Sequence, residues 1–450
     1  MNKRVTVLST VVALVALATV DARLSRADEI LSRVEQLTKE VTPTVVRLRR
    51  DFHAHPELSN REERTGRVVA ERLKEIGVDE IKSGVAHHGV VALIRGRKPG
   101  PGTDRAPTRS VGRLVVALRA DMDALPIREE TGLPFASQNE GVMHACGHDA
   151  HTAMLLGAAE VLTQMRDVIP GTVKLIFQPA EEGTPPGEEG GAKLMIEEGV
   201  LKDPDVSAIF GMHVHTELEA GKIGYRFGGL LAAVDRFKVT ITGKQSHAAM
   251  PWLGVDPILA SAHVITAVQS IASRKIDARE PVVVSFGIIH AGQAWNIIPE
   301  EVVLEGTIRT HDLEVRREAV AQFGRIVNRT ADALGAKAEI QFDDYGPVVS
   351  NDPELGIGAK ASLVRAVGEQ NVVESQPVMG GEDFAHYAEK VPGFYVFLGV
   401  HNETIGAIHP VHTPNLLIDE AALPVGVRAH CLMALDYLNA HQTDTGSTEK

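Results

Sequence analysis

Several residue classes are scarce in this chain, and each scarcity removes a class of protein. Only two cysteines, Cys146 and Cys431, occur in 450 residues. Aromatic residues make up 4%, too few for a nucleic-acid stacking platform. A net charge of -13 argues the same way, because phosphate binding needs a basic face. Beyond the amino-terminal 22 residues no stretch approaches the ~18 apolar residues of a membrane span. Internal repeats and low-complexity segments are absent. What is present is ordinary globular material: 44% hydrophobic and 23% charged residues, in a length sufficient for two or three domains.

The first 22 residues differ from the rest. Lys3 and Arg4 precede an apolar run from Val5 to Val20, and Val20-Asp21-Ala22 offers small residues at the positions a signal peptidase reads. The pattern predicts a cleaved leader at 1–22 and an exported, periplasmic or secreted protein. An exported protein could pair its two cysteines. Cys431 lies in an apolar helical stretch and reads as a buried small hydrophobe, whereas Cys146 reads as a metal thiolate.

That reading comes from Met143-His144-Ala145-Cys146-Gly147-His148-Asp149-Ala150-His151, which packs three imidazoles, a thiol and a carboxylate into nine residues. Thiolate and imidazole suit zinc, manganese, cobalt or nickel. A helix is expected over 150–162, pinning this loop. Upstream, a helix is expected from Ile30 to Arg50, leading to His53 and His55, which are spaced like ligands but stand at a helix end before Pro56. A strand over 114–118 delivers Asp121 and Asp123 to the carboxyl edge of an α/β sheet, where ligands bind, and Asp121 is suited to orient a metal-bound histidine. Another strand, 173–178, leads to Glu181 and Glu182: one carboxylate can hold a metal while its neighbour acts as a general base. A strand over 206–212 ends in His213-Val214-His215, whose alternation lets at most one imidazole be a ligand. Arg97 to Gly112 reads as a surface loop.

From Gly221 to about Tyr345 the expected order is strand, helix, strand, strand, helix, strand, a ferredoxin-like β-α-β-β-α-β unit inserted in the first domain. Its polar landmarks are His247, which could stabilise an oxyanion from above the metals, Asn296, and Arg309, which could clamp a carboxylate. The first domain then resumes through Gly380-Gly381-Glu382-Asp383 to a loop holding His401, His409 and His412. The predicted division is therefore a leader at 1–22, a catalytic domain formed by residues 30–224 and 346–441, a lid at 225–345 inserted between those two segments, and a tail at 442–450.

The motifs, taken together, resemble the bimetallic amidohydrolases that include hippurate hydrolases, aminoacylases, N-acyl-amino-acid carboxypeptidases and indole-acetyl-amino-acid hydrolases. They are RRDFHAHPE (49–57), RADMDALP (119–126), MHACGHDAH (143–151), QPAEEG (178–183), GMHV (211–214), SHAAMP (246–251), NIIP (296–299), GTIRT (306–310), GGEDF (380–384) and HTP (412–414). The resemblance implies a zinc-peptidase-like α/β catalytic domain with a ferredoxin-like lid. It also implies two divalent metal ions, zinc or manganese with cobalt or nickel as alternatives. Its ligands would be Cys146 as the bridge, His148, Glu182, His213 and His412. Glu181 would be the general base and acid, Asp121 a support, His247 the group polarising the scissile carbonyl (a histidine that in some such enzymes crosses from the partner subunit), and Asn296, Arg309 and Gly380 substrate-binding residues. The implied reaction is hydrolysis of the amide bond of a small N-acyl amino acid, in a chain that can dimerise through its lid. A dipeptidase or other exopeptidase is the alternative enzyme, and an exported binder of metal or acyl-amino acids is the alternative without catalysis.

Overall fold

The computed structural model describes residues 3–97 and 114–441, with side chains from Arg26 onward. Most of the 97–112 loop and the whole 442–450 tail lie outside the described residues. In chain order the elements begin with α1 Lys3–Ala54, α2 Glu63–Ile76, β1 Glu80–Val85, β2 Gly89–Arg95, β3 Val115–Asp121, α3 His148–Gln164 and β4 Thr172–Gln178. Next come α4 Gly191–Glu197, β5 Ala208–Glu219, β6 Ile223–Tyr225, β7 Gly228–Leu231, β8 Ala233–Thr242 and β9 Ser246–His247. Then follow α5 Pro257–Val268, β10 Val282–Ala291, β11 Ile297–Ile298, β12 Glu301–Thr310, α6 Leu313–Ala333 and β13 Lys337–Gly346. The last are β14 Val349–Asn351, α7 Pro353–Val367, β15 Val372–Glu374, α8 Ala385–Ala388, β16 Gly393–His401 and α9 Leu423–Ala440.

An eight-stranded mixed sheet in the order β1-β2-β4-β3-β5-β16-β6-β15 forms the main body. Its four middle strands, β4, β3, β5 and β16, run parallel to one another, and β2 and β6 flank them antiparallel. Every residue of β3 and of β4 is buried, as expected of strands covered on both faces. Alternation divides β3 between two cores: Val116, Leu118 and Ala120 face the cluster built with α1, α3 and α9, while Val115 and Ala117 face the smaller one with Ala192 and Tyr387. Helix α3 is apolar around most of its circumference and is buried accordingly. Gly157 lets it approach its neighbours, since a Cβ there would meet Val45 Cγ2 at 2.5 Å and Val427 Cγ2 at 3.0 Å.

Residues 233–346 make a second sheet, all antiparallel, in the order β10-β12-β8-β13. Helices α5 and α6 pack on it around Phe237, Val264, Leu304 and Phe323. This is the strand order of a ferredoxin-like unit. The chain enters and leaves it through β7 and β14, which pair with each other.

Three expectations need adjustment. The first helix starts far ahead of Ile30: the backbone runs as one helix from Lys3 to Ala54, past Arg50, with neither glycine nor proline in residues 3–42 to stop it and Pro43 carried within it. Helix α3 begins at His148, two residues earlier than expected, so His148 belongs to a helical first turn. Strand β5 runs on through His213 and His215.

Candidate metal centre

Five chain segments meet at the carboxyl edge of the main sheet. β3 ends at Asp121, and the alternating Asp-Met-Asp carries Asp123 to the same side. The turn before α3 depends on Gly147, whose φ is 87° and whose Cβ, if present, would meet Val214 Cγ2 at 2.4 Å. That left-handed position aims Cys146 and His148 at one point. β4 leads through Ala180, left-handed at φ 54°, to Glu181 and Glu182. His213 projects from β5, and His412, also left-handed at φ 63°, is anchored by its amide to the Ala145 carbonyl at 2.7 Å.

Cys146 Sγ lies 3.3 Å from Nε2 of His213 and 3.3 Å from Nε2 of His412. Glu182 Oε1 is 3.2 Å from the same His412 nitrogen and 3.9 Å from His148 Nε2. Glu181 Oε2 is 3.8 Å from His148 Nε2. Potential ligand atoms of Cys146, His148 and His213 lie within 4.8 Å of one another, as do those of Cys146, Glu182 and His412. Two three-ligand groups thus share one sulfur.

Outer groups fix the direction of the imidazoles, as metal-ligating histidines require. His148 Nδ1 donates to Asp123 Oδ1 at 3.2 Å and lies 3.8 Å from Asp121 Oδ1. Its Nε2, fully buried, has no hydrogen-bond partner among the described residues. His213 Nδ1 donates to the Val214 carbonyl at 2.7 Å, leaving Nε2 to face the sulfur. Such an orphaned, inward-facing imidazole nitrogen beside a thiol and a carboxylate fits a divalent cation. Burial raises the Cys146 thiol far above its usual range, and the charges of Glu182 and Glu181 raise it further, so a thiolate here requires added positive charge. Burial likewise lifts Glu181 well above the ordinary carboxylate range, with Glu382, Glu182 and Asp383 adding to the effect.

Asp121 Oδ1 accepts from His151 Nδ1 at 2.6 Å, while the Val214 amide donates to His151 Nε2 at 2.9 Å. The other Asp121 oxygen accepts from buried Arg119 at 2.5 Å. Arg119 also donates to Asp383 Oδ1 at 2.8 Å and to Gln178 at 3.0 Å, and stands 3.0 Å from Glu382. Burial opposes its charge, but Glu382, Asp121, Tyr395 and Asp383 hold the guanidinium firmly protonated.

The lid residues stand apart from this cluster. His247 and Asn296 are brought together on a short ribbon, where Ile297 pairs with His247 and the Ala248 amide donates to the Asn296 carbonyl at 3.0 Å. His247 is exposed. Arg309 donates to the Met379 carbonyl at 2.7 Å, and the neighbouring Gly380 carbonyl accepts from Ala232 at 2.9 Å. Lid and body therefore touch at the 379–380 turn.

His53 and His55 are not brought to the cluster. Buried His53 joins Asp149 at 2.8 Å and Glu129 at 3.1 Å, and Arg49 completes the group at 2.8 Å from Asp149. His55 bonds the Asp51 carbonyl, and His215 packs on Phe397. Cys431 is a buried free thiol within α9. Sequence reasoning brings Asp123 to the sheet edge without giving it a role and does not single out Arg119; the Asp-Met-Asp alternation is a usable signal for the first, and nothing local marks the second.

Among characterised proteins, the chain is 45% identical over 320 residues to an N-acyl-L-amino acid amidohydrolase of Geobacillus stearothermophilus, covering 71% of this chain and 81% of that one. It is 40% identical over 413 residues to thermostable carboxypeptidase 2 of Saccharolobus solfataricus, covering 91% of this chain and all of the other. Its fold superposes on a dinuclear metal-binding peptidase of the M20 family from Bacillus subtilis with a TM-score of 0.74 and 38% identity, over 89% of this chain and 99% of that one. A sequence profile matches residues 117–436, the span that carries the whole cluster, and by that match the chain belongs to peptidase family M20/M25/M40.

Proposed function

We propose that this protein hydrolyses the amide bond of N-acyl amino acids, with two divalent cations held by Cys146, His148, Glu182, His213 and His412. The observation that carries the reading is the meeting of those five side chains around one buried sulfur, with Glu181 beside them. Cys146, common to both ligand groups, would bridge the two cations, and zinc or manganese would suit the mixed sulfur, nitrogen and oxygen donors. Bound cations supply Lewis acidity, lowering the pKa of water and polarising the substrate carbonyl.

The chain's own residues divide the remaining work. Glu181 takes the proton from the attacking water and delivers it to the leaving amino nitrogen. Asp121 and Asp123 hold the imidazoles in their tautomers. His247 donates to the carbonyl oxygen as charge develops there, Asn296 stands beside it, and Arg309 with the Gly380 turn receives the substrate carboxylate. In this reading residues 225–345 would act as a lid that carries His247 towards the Cys146 cluster.

Two further readings accompany this one. The lid exposes Trp252, Leu253, Ile288 and Ile289, the last two on β10, an edge strand of its sheet. An apolar edge of that kind supports a homodimer through the lid. Residues 1–22 have the pattern of an export leader, giving a periplasmic or secreted enzyme. Light scattering of the purified protein and mass measurement of its mature amino terminus check these two points.

The deciding experiment for function is a panel of N-acetyl and N-benzoyl amino acids alongside dipeptides, with manganese or zinc and with chelator, read by released amine. Metal-dependent release from the N-acyl amino acids is expected. Release only from dipeptides would make the protein a dipeptidase, and tight binding without release would make it a binder.

A further inference from the structure

Ala180 stands immediately before the Glu181–Glu182 pair with φ at 54°. That left-handed conformation is unfavourable for a residue with a Cβ and persists only where the surroundings hold it. The two carboxylates diverge directly after it. Glu182 faces His412 at 3.2 Å, while Glu181 lies among Glu382 and Asp383, with oxygens within 4.8 Å. The group holding the turn comes from a distant stretch of the chain: Glu62, fully buried ahead of α2, accepts a hydrogen bond from the Ala180 amide on Oε1 at 2.8 Å. Its Oε2 has no hydrogen-bond partner, and no cation pairs with it, among the described residues. A carboxyl buried without a counter-charge is costly, so its retention calls for a return elsewhere.

We propose that Glu62 is a positioning residue for the general base: its carboxyl holds the Ala180 amide in the left-handed turn that sends Glu181 and Glu182 in different directions. This rests on Glu181 being the base. A cap that merely stabilised α2 would leave the 180–182 turn indifferent to it, and three variants separate the two ideas. Glu62→Gln keeps an acceptor for the Ala180 amide. Glu62→Ala removes it. Glu62→Ala with Ala180→Gly removes it but supplies a residue that adopts φ 54° freely.

The measurements are kcat, KM, metal content and Tm of the metal-loaded enzyme on an N-acyl amino acid. A misplaced base should lower kcat of Glu62→Ala roughly 10–100-fold with KM little changed and metal content retained. Glu62→Gln should stay close to wild type, and Ala180→Gly should restore much of the kcat that Glu62→Ala lost. Ala180→Gly should also raise Tm more in the Glu62→Ala background than in the wild type, a coupling that needs no turnover to be seen. Should Glu62→Ala not fold, Glu62→Met fills the space without accepting a hydrogen bond and carries the same comparison. Wild-type kcat in that variant, or a loss that Ala180→Gly leaves untouched, overturns the proposal. If the wild type releases no amine from any substrate, the base assignment and this proposal fall together. An active wild type with an indifferent Glu62 removes only the latter.

Discussion

At the scale of single residues, Glu181 and His213 occupy the same cluster and yet predict opposite failures. On the proposed mechanism, Glu181→Gln removes the proton acceptor and leaves Cys146, His148, Glu182, His213 and His412 intact. It should keep its metal and lose on the order of 10³-fold or more in kcat. His213→Ala opens the group around the sulfur and should lose metal, which elemental analysis of the purified protein reads directly. Glu62 gives a third prediction, about pH. Burial, reinforced by the charge of Asp123, raises its pKa from 4.5 to about 8. The folded state therefore keeps a proton that the unfolded chain releases, and this contribution to stability is lost as pH rises from about 4.5 to 8. Glu62→Gln cannot titrate. In the metal-free protein its stability relative to wild type should improve steadily across that window, as denaturant titrations at several pH values would show. No improvement would mean that Glu62 is ionised in the fold.

At the scale of elements, Arg119 fastens three strand-end segments together: β3 through Asp121, β4 through Gln178, and the 380–384 turn through Glu382 and Asp383. Removing this cation strands several buried carboxylates. Arg119→Met should destabilise the protein by about 3–5 kcal/mol, measured by denaturant unfolding of the apoprotein. A loss under about 1 kcal/mol would show that the guanidinium is not what holds these segments together. The same elements explain what could and could not be read in advance. Helix α6 and strands β8, β10 and β12 carry strong local periodicity, and the expected order of elements in this unit agrees with the structure. The Cys146–His148 and Glu181–Glu182 pairs and the histidines at 213 and 215 stand out locally by their donor chemistry, whereas the choice of His213 over His215, of Glu182 over Glu181 and of His412 among three loop histidines rests on the family resemblance. Glu62, Arg119 and the Arg49–His53–Asp149 group were not readable, since each acts through a partner tens to hundreds of residues away. One-dimensional pattern holds no record of such pairings. Nor did it show that the first helix runs without a break from Lys3, because a leader's apolar run and a helix former's composition look alike.

At the scale of the whole molecule, the body is a sheet closed by its own helices, and the second sheet is attached through the β7–β14 pair and by the contact of Arg309 with the 379–380 turn. Gly228, left-handed at φ 74°, stands in that connection, and a cavity of about 570 Å³ bordered by His311, Asp352 and Lys390 lies beside it. A ligand set drawn from so many segments has a consequence for how the molecule is made. His412 reaches Cys146 across 266 residues of chain, with the entire 233–346 unit lying between them. Closing so long a loop is slow, and contacts of high sequence separation form late. The body cannot present its shared sulfur to a pair of ions until its last strand and the loop after it have docked. Ion uptake should therefore coincide with the slowest refolding phase, and stopped-flow refolding with a chromogenic metal indicator would time the two events. Each ion then reports that a chain has finished folding.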